Sequence, residues 1–101
     1  MNLLKETLSK LEQNGKTIKD VHWVGSSDGK YSMPWDKFVT IAGVDYDSGY
    51  GGAEIATELV VVGDNWWLSR GEYDGSEWWD FNTIPIQEYD FLDFNSVRSI
   101  R

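Results

Sequence analysis

The 101-residue chain has no cysteine, one histidine and two prolines, and between Lys37 and Arg98 it holds a single basic residue, Arg70. Each scarcity removes a class of function. Without cysteine there is no disulfide framework, no thiolate nucleophile and no sulfur ligand for zinc. With His22 as the lone imidazole, a Ser-His-Asp arrangement would depend on a residue inside an alternating, strand-like stretch with no nucleophile turn nearby. No apolar run approaches the eighteen or so residues of a membrane span. The start of the chain, Met1-Asn2-Leu3-Leu4-Lys5-Glu6, is amphipathic and charged, unlike a secretory signal. These absences lead us to expect a cytoplasmic protein with no catalytic residue, no metal and no cofactor.

Acid and indole are abundant. The formal charge is −8. Residues 1–19 hold four lysines against Glu6 and Glu12, a net of +2, so the remainder carries −10. Twelve acidic side chains lie between Lys37 and Arg98, together with four of the six tryptophans, as Trp66-Trp67 and Trp78-Trp79. A field of that sign repels nucleic acid and anionic lipid, and it speeds encounter with a basic protein surface. The same charge also serves plain solubility.

The length and a 41 % hydrophobic fraction suit one small domain. We divide it into an N-terminal helix over 1–14, an α+β body over 15–83 and a C-terminal tail over 84–101. Leu3, Leu4, Leu8 and Leu11 recur at helical spacing over residues 2–13, and Asn14-Gly15 ends that helix. Residues 17–24 alternate as a strand, with Ile18, Val21 and Trp23 or Val24 inward, followed by a turn at 26–29. Ser32 or Met33 caps a second helix near 34–43 with Pro34 in its first turn. Residues 53–59 suit a short third helix. Leu59-Val60-Val61-Val62 reads as an inner strand.

Two further runs, 66–72 and 77–82, flank Asp74-Gly75, the strongest hairpin signal in the chain. A two-residue turn there sets Tyr73 against Ser76, Gly71 against Trp78, Arg70 against Trp79 and Leu68 against Phe81. One face then holds Trp66, Leu68, Arg70, Trp79 and Phe81, with Arg70 free to lie across Trp79. The other holds Trp67, Ser69, Gly71, Tyr73, Trp78, Asp80 and Asn82. Trp67 and Trp78 are either a second core layer or an exposed aromatic platform, and the residues alone leave both open. The expected fold is α+β: a small antiparallel sheet with a C-terminal hairpin packed against two or three helices.

The motifs that come closest to chemistry fail on inspection. Asp45-Tyr46-Asp47-Ser48-Gly49 begins like a calcium loop, but its fifth position is Gly49 and its twelfth is Ala56, where that loop needs an oxygen ligand and a glutamate. Gly49-Tyr50-Gly51-Gly52 is glycine-rich, yet no lysine follows as in a phosphate loop. A glycosidase needs two carboxylates across a cleft, and so short a chain leaves little material for one.

The runs Trp35-Asp36-Lys37-Phe38, Asp45-Tyr46-Asp47-Ser48-Gly49-Tyr50-Gly51, Val61-Val62-Gly63-Asp64-Asn65-Trp66-Trp67-Leu68 and Glu72-Tyr73-Asp74-Gly75-Ser76-Glu77-Trp78-Trp79 are distinctive. Across residues 34–83 the chain resembles small acidic proteins encoded by phages and prophages of Gram-positive bacteria. That group offers no activity to carry over residue by residue. The resemblance implies a setting: a mobile-element protein in a bacterial host cell, where small acidic proteins include anti-CRISPR and other anti-defence inhibitors, some of them nucleic-acid mimics. The expected partner is a basic, nucleic-acid-binding protein such as a CRISPR effector nuclease, with no direct contact to nucleic acid or membrane. Asp45, Asp47, Glu54, Glu58, Asp64, Asp74, Glu77 and Asp80 are the expected phosphate substitutes, and Trp67, Tyr73 and Trp78 the apolar anchors. The alternatives are an immunity-like or adaptor protein that binds one partner through the hairpin aromatics, and a carbohydrate-binding module.

Overall fold

A computed structural model describes residues 1–47, 52–94 and 96–98. The loop residues 48–51, which carry most of the glycine-rich motif considered above, lie outside the described residues. The fold is α+β: two α-helices, α1 (Leu3–Gln13) and α2 (Trp35–Ala42), pack on an antiparallel five-stranded sheet. Its strands are β1 (Trp23–Ser26), β2 (Ser32–Met33), β3 (Leu59–Val62), β4 (Trp66–Tyr73) and β5 (Ser76–Thr83), in the spatial order β2-β1-β3-β4-β5. No helix among the described residues is long and apolar enough to cross a membrane.

The alternation of side chains along a strand sorts the sheet into two faces. Val24, Val61, Leu68 and Phe81 form one cross-strand row, and Arg70 pairs with Trp79 on the same side. Against this face lie Leu3, Thr7 and Leu11 of α1 and Phe38 and Ala42 of α2, closing the core over Trp66 and Trp79. The α1 stripe is therefore Leu3-Thr7-Leu11, and Leu8, expected inward, is 40 % exposed. Thr7 takes the central place because the Trp79 indole N–H donates to its hydroxyl at 2.9 Å, while the hydroxyl donates to the Leu3 carbonyl at 2.7 Å. A leucine there would bury an indole N–H without an acceptor.

The β4–β5 register pairs Tyr73 with Ser76, Gly71 with Trp78, Arg70 with Trp79 and Leu68 with Phe81, as the two-residue turn requires. Asp74 (φ 51°) and Gly75 (φ 84°) both take the left-handed conformation of a type I′ turn, whose twist matches that of the strands it joins.

Three expectations fail, each to a competing hydrogen bond. The alternating stretch 17–24 yields a strand only from Trp23. Before it, Ile18–Asp20 is a 3-10 turn, held by the Asp20 carboxylate accepting the Thr17 N–H at 2.7 Å and its hydroxyl at 3.2 Å. Ser32 and Met33 do not cap α2; they form β2 against Gly25 and Val24, and Pro34 stands at the helix boundary. Residues 53–59 form no helix. The N–H groups of Glu54 and Ile55 donate to the Glu77 carboxylate at 2.8 and 3.1 Å, which holds that segment in turns.

Candidate docking surface

A buried ionic cluster fixes the geometry around the candidate surface. The Arg70 guanidinium donates to the Glu6 carboxylate at 2.7 Å and to the Tyr46 hydroxyl at 3.1 Å, and it stands 3.6 Å from Glu77 Oε1. It lies over the Trp79 ring, 4.7 Å from the centroid, in the cation–π arrangement that the hairpin register suggests. The Tyr46 hydroxyl donates to Glu6 at 2.6 Å. Burial of the guanidinium works against its charge, but the hydrogen bonds with Glu6 and Tyr46 outweigh it and hold the Arg70 pKa above the ordinary arginine value. Burial, reinforced by the bond to Glu6, raises the Tyr46 pKa above the ordinary tyrosine value.

This cluster corrects one member of the candidate set. Glu77 is 5 % exposed, with its carboxylate committed to Arg70 and to the backbone of residues 54 and 55, so it is a structural group and not a surface acid. Alternation along β5 already sets Glu77 on the face of Trp79 and Arg70, while Glu6 and Tyr46 meet Arg70 from 64 and 24 positions away and leave no local trace.

The other candidate acids, Asp45, Asp47, Glu54, Glu58, Asp64, Asp74 and Asp80, are all exposed. Most gather at one end of the sheet. Asp74 is in the β4–β5 turn, and Glu54 adjoins that hairpin through its N–H bond to Glu77. The Asp47 N–H donates to the Glu54 carboxylate at 2.6 Å, and Asp45 is bridged to Asn2. Glu58 leads into β3 at the same end, because Val60 pairs with Ser69. Asp80, in the middle of β5, and Asp64 are the exceptions. Asp64 occupies the β3–β4 turn at the far end of β4, about 30 Å away at roughly 3.3 Å per residue. There Lys16 lies over the Trp66 ring at 5.6 Å, so a cation marks the end opposite most of the acids.

The four hairpin tryptophans divide between the faces. Trp66 and Trp79 are core, at 3 % and 2 % exposure. Trp67 and Trp78 are on the face that neither helix covers. Trp23, Val62, Trp67 and Asn82 form one row across it. Trp23, Ser27, Val60, Val62 and Trp67 line a shallow cleft of about 290 Å³. Trp78 is 38 % exposed and Tyr73, beside the turn, 77 %. The Trp78 indole lies over Gly71, where a Cβ would come within 2.3 Å of Nε1, and it donates to the Asp80 carboxylate at 3.0 Å. Its ring is thus held in place on the open face. Asp80 sits mid-strand on that face, opposite Ser69.

His22 is exposed and precedes β1. Among the described residues no group of three or more histidines or carboxylates is placed to hold a metal ion. No family model matches the chain, nor does any curated protein or solved structure.

Proposed function

We propose that the protein is an acidic inhibitor that docks onto the basic, nucleic-acid-binding surface of a partner protein, in the manner of the anti-defence proteins that its phage-type sequence implies. The observation that carries this reading is the gathering of exposed carboxylates at the hairpin end of the sheet, next to the uncovered rings of Tyr73 and Trp78. Asp45, Asp47, Glu54, Glu58 and Asp74 stand in for phosphates, and the two rings supply desolvated anchors of the residue type that dominates interface energetics. The partner is a cationic groove built for nucleic acid, such as that of a CRISPR effector nuclease, and the setting is the cytoplasm of a bacterial host. The role is binding and not catalysis.

Such a contact depends on charge. Affinity for an isolated effector should fall steeply as salt rises, because exposed charges are screened over about 8–10 Å at 0.1–0.15 M ionic strength. Duplex or guide nucleic acid should compete with the protein. The triple substitution Asp45→Lys, Asp47→Lys, Asp74→Lys reverses three exposed charges without touching the core, and it should abolish both binding and inhibition. Unchanged affinity and salt response in that variant would refute the mimic reading.

The Trp23–Val62–Trp67 cleft favours a second reading, in which an adaptor grips one partner through aromatic contacts. In that case Trp67→Ala abolishes binding at every salt concentration, while the charge reversal leaves it intact.

A further inference from the structure

Thr83 ends β5, and every described residue from there to Phe94 is exposed. The segment is not polar. Ile86, Tyr89, Phe91, Leu92 and Phe94 are 85 %, 66 %, 92 %, 78 % and 55 % exposed. Large apolar side chains left this open in a row mark an interaction segment. The segment also carries Glu88, Asp90 and Asp93 and no cation. It packs little on the body, and the radius of gyration is 16.4 Å, against roughly 13 Å for a compact chain of about 100 residues. The Ile84 N–H is tied to the Asn65 carbonyl at 3.0 Å, Pro85 holds Ile84 extended, and the chain first bends at Glu88–Asp90.

The body offers a site of matching chemistry. A groove of about 450 Å³ runs between α1 and β5, lined by Lys5 and Lys10 of α1, by Glu6 and Glu77, both held by Arg70, and by Trp78 and Trp79 of β5. It lies beside the free edge of β5, which pairs only with β4 and so presents unpaired backbone groups to any added strand. The arm bends at Glu88–Asp90, where exposed rings and carboxylates alternate along the chain as Glu88-Tyr89-Asp90-Phe91. Docked there, the carboxylates meet Lys5 and Lys10 and the rings meet the apolar part of the lining.

We propose that the arm of one copy occupies the α1–β5 groove of a second copy, forming an arm-exchanged, two-fold symmetric dimer. The arm packs little on its own body, and a two-fold exchange satisfies both grooves at once. The area suffices. Tyr89 and Phe91 bury roughly 150–250 Å² each, so two arms contribute about 600–1,000 Å², and about twice that with the groove side counted, the scale of a stable interface. This inference shares Trp78 with the inhibitor reading, but its test involves no partner, so the two fail separately.

Sedimentation velocity over a concentration series tests it. The full chain should sediment at twice its 11.6 kDa mass. Tyr89→Ser with Phe91→Ser should weaken the dimer at least about a hundredfold, since two anchor rings are lost. Because these rings touch no core residue, the near-UV circular dichroism of the body should be unchanged. Lys5→Glu with Lys10→Glu should also dissociate the dimer, and adding Glu88→Lys with Asp90→Lys should restore it. A full chain that stays monomeric throughout the series overturns the proposal, whether its arm is free or folded onto its own groove. A dimer indifferent to the arm substitutions, or charge swaps that fail to restore it, overturn it equally.

Discussion

Replacing Arg70 by methionine keeps much of the side-chain volume and removes the guanidinium. The side chains of Glu77 and Glu6 are 2 % and 12 % exposed, and Arg70 is their shared cation. Removing one partner of a buried ion pair costs about 3–5 kcal/mol, because the remaining charge is stranded in a poor solvent. Glu77 still accepts two backbone N–H groups, which softens its loss, and Glu6 is near enough to the surface to draw in water. Those compensations place the expected cost at the lower end, about 3 kcal/mol, including the lost contact with the Trp79 ring. For a domain stable by about 5–15 kcal/mol, that is a large fraction. Urea unfolding followed by tryptophan emission should show the midpoint falling by about 1–3 M, given a slope of roughly 1–3 kcal/mol per molar urea. Adding Glu6→Gln should recover part of the loss, since it removes one stranded charge and keeps a hydrogen-bonding group. If Arg70→Met stays within about 1 kcal/mol of the parent, and Glu6→Gln costs the same in both backgrounds, the cluster does not hold the hairpin to α1 as argued.

Thr7→Val is nearly isosteric and leaves the Trp79 indole N–H buried without its acceptor; the expected cost is about 1–3 kcal/mol in the same assay. Gly25→Ala should be worse tolerated than a surface change of equal size, because its Cβ would fall 2.0 Å from the Tyr31 carbonyl oxygen, which is backbone and cannot swing aside; loss of cooperative thermal unfolding would report it. Tyr46 gives a pH dependence. Its folded pKa is raised, so its contribution is fully present below the ordinary value near 10 and is lost as pH rises through the higher folded value. Stability measured from pH 9 upward should therefore fall more steeply in the parent than in Tyr46→Phe, and parallel curves would contradict the Tyr46–Glu6 contact.

Local chemistry was enough to specify α1, whose span and Asn14-Gly15 stop both appear in the structure, though its buried stripe runs through Thr7 and not Leu8. It was also enough for the β4–β5 hairpin. Asp74-Gly75 fixes a two-residue turn, and a two-residue turn fixes every cross-strand pair, including Arg70 beneath Trp79 and Trp78 over Gly71. Period-two alternation then carries the face assignment along both strands.

Contacts between distant segments settled the rest. Arg70 lies only seven residues from Glu77 and on the same hairpin face, but the two N–H groups that also hold Glu77 are more than twenty residues earlier, outside any local window. The same carboxylate removes the helix that residues 53–59 favour in isolation. Whether Trp67 and Trp78 are core or open surface depends on where the helices lie, and α1 and α2 both settle on the opposite face, where Thr7, Leu11 and Phe38 meet the sheet. The sequence set the total charge and the identity of its carriers. Chain reversal brought most of the exposed acids to one end, because short-range propensities fix conformation while position in space is a sum over the whole path of the chain.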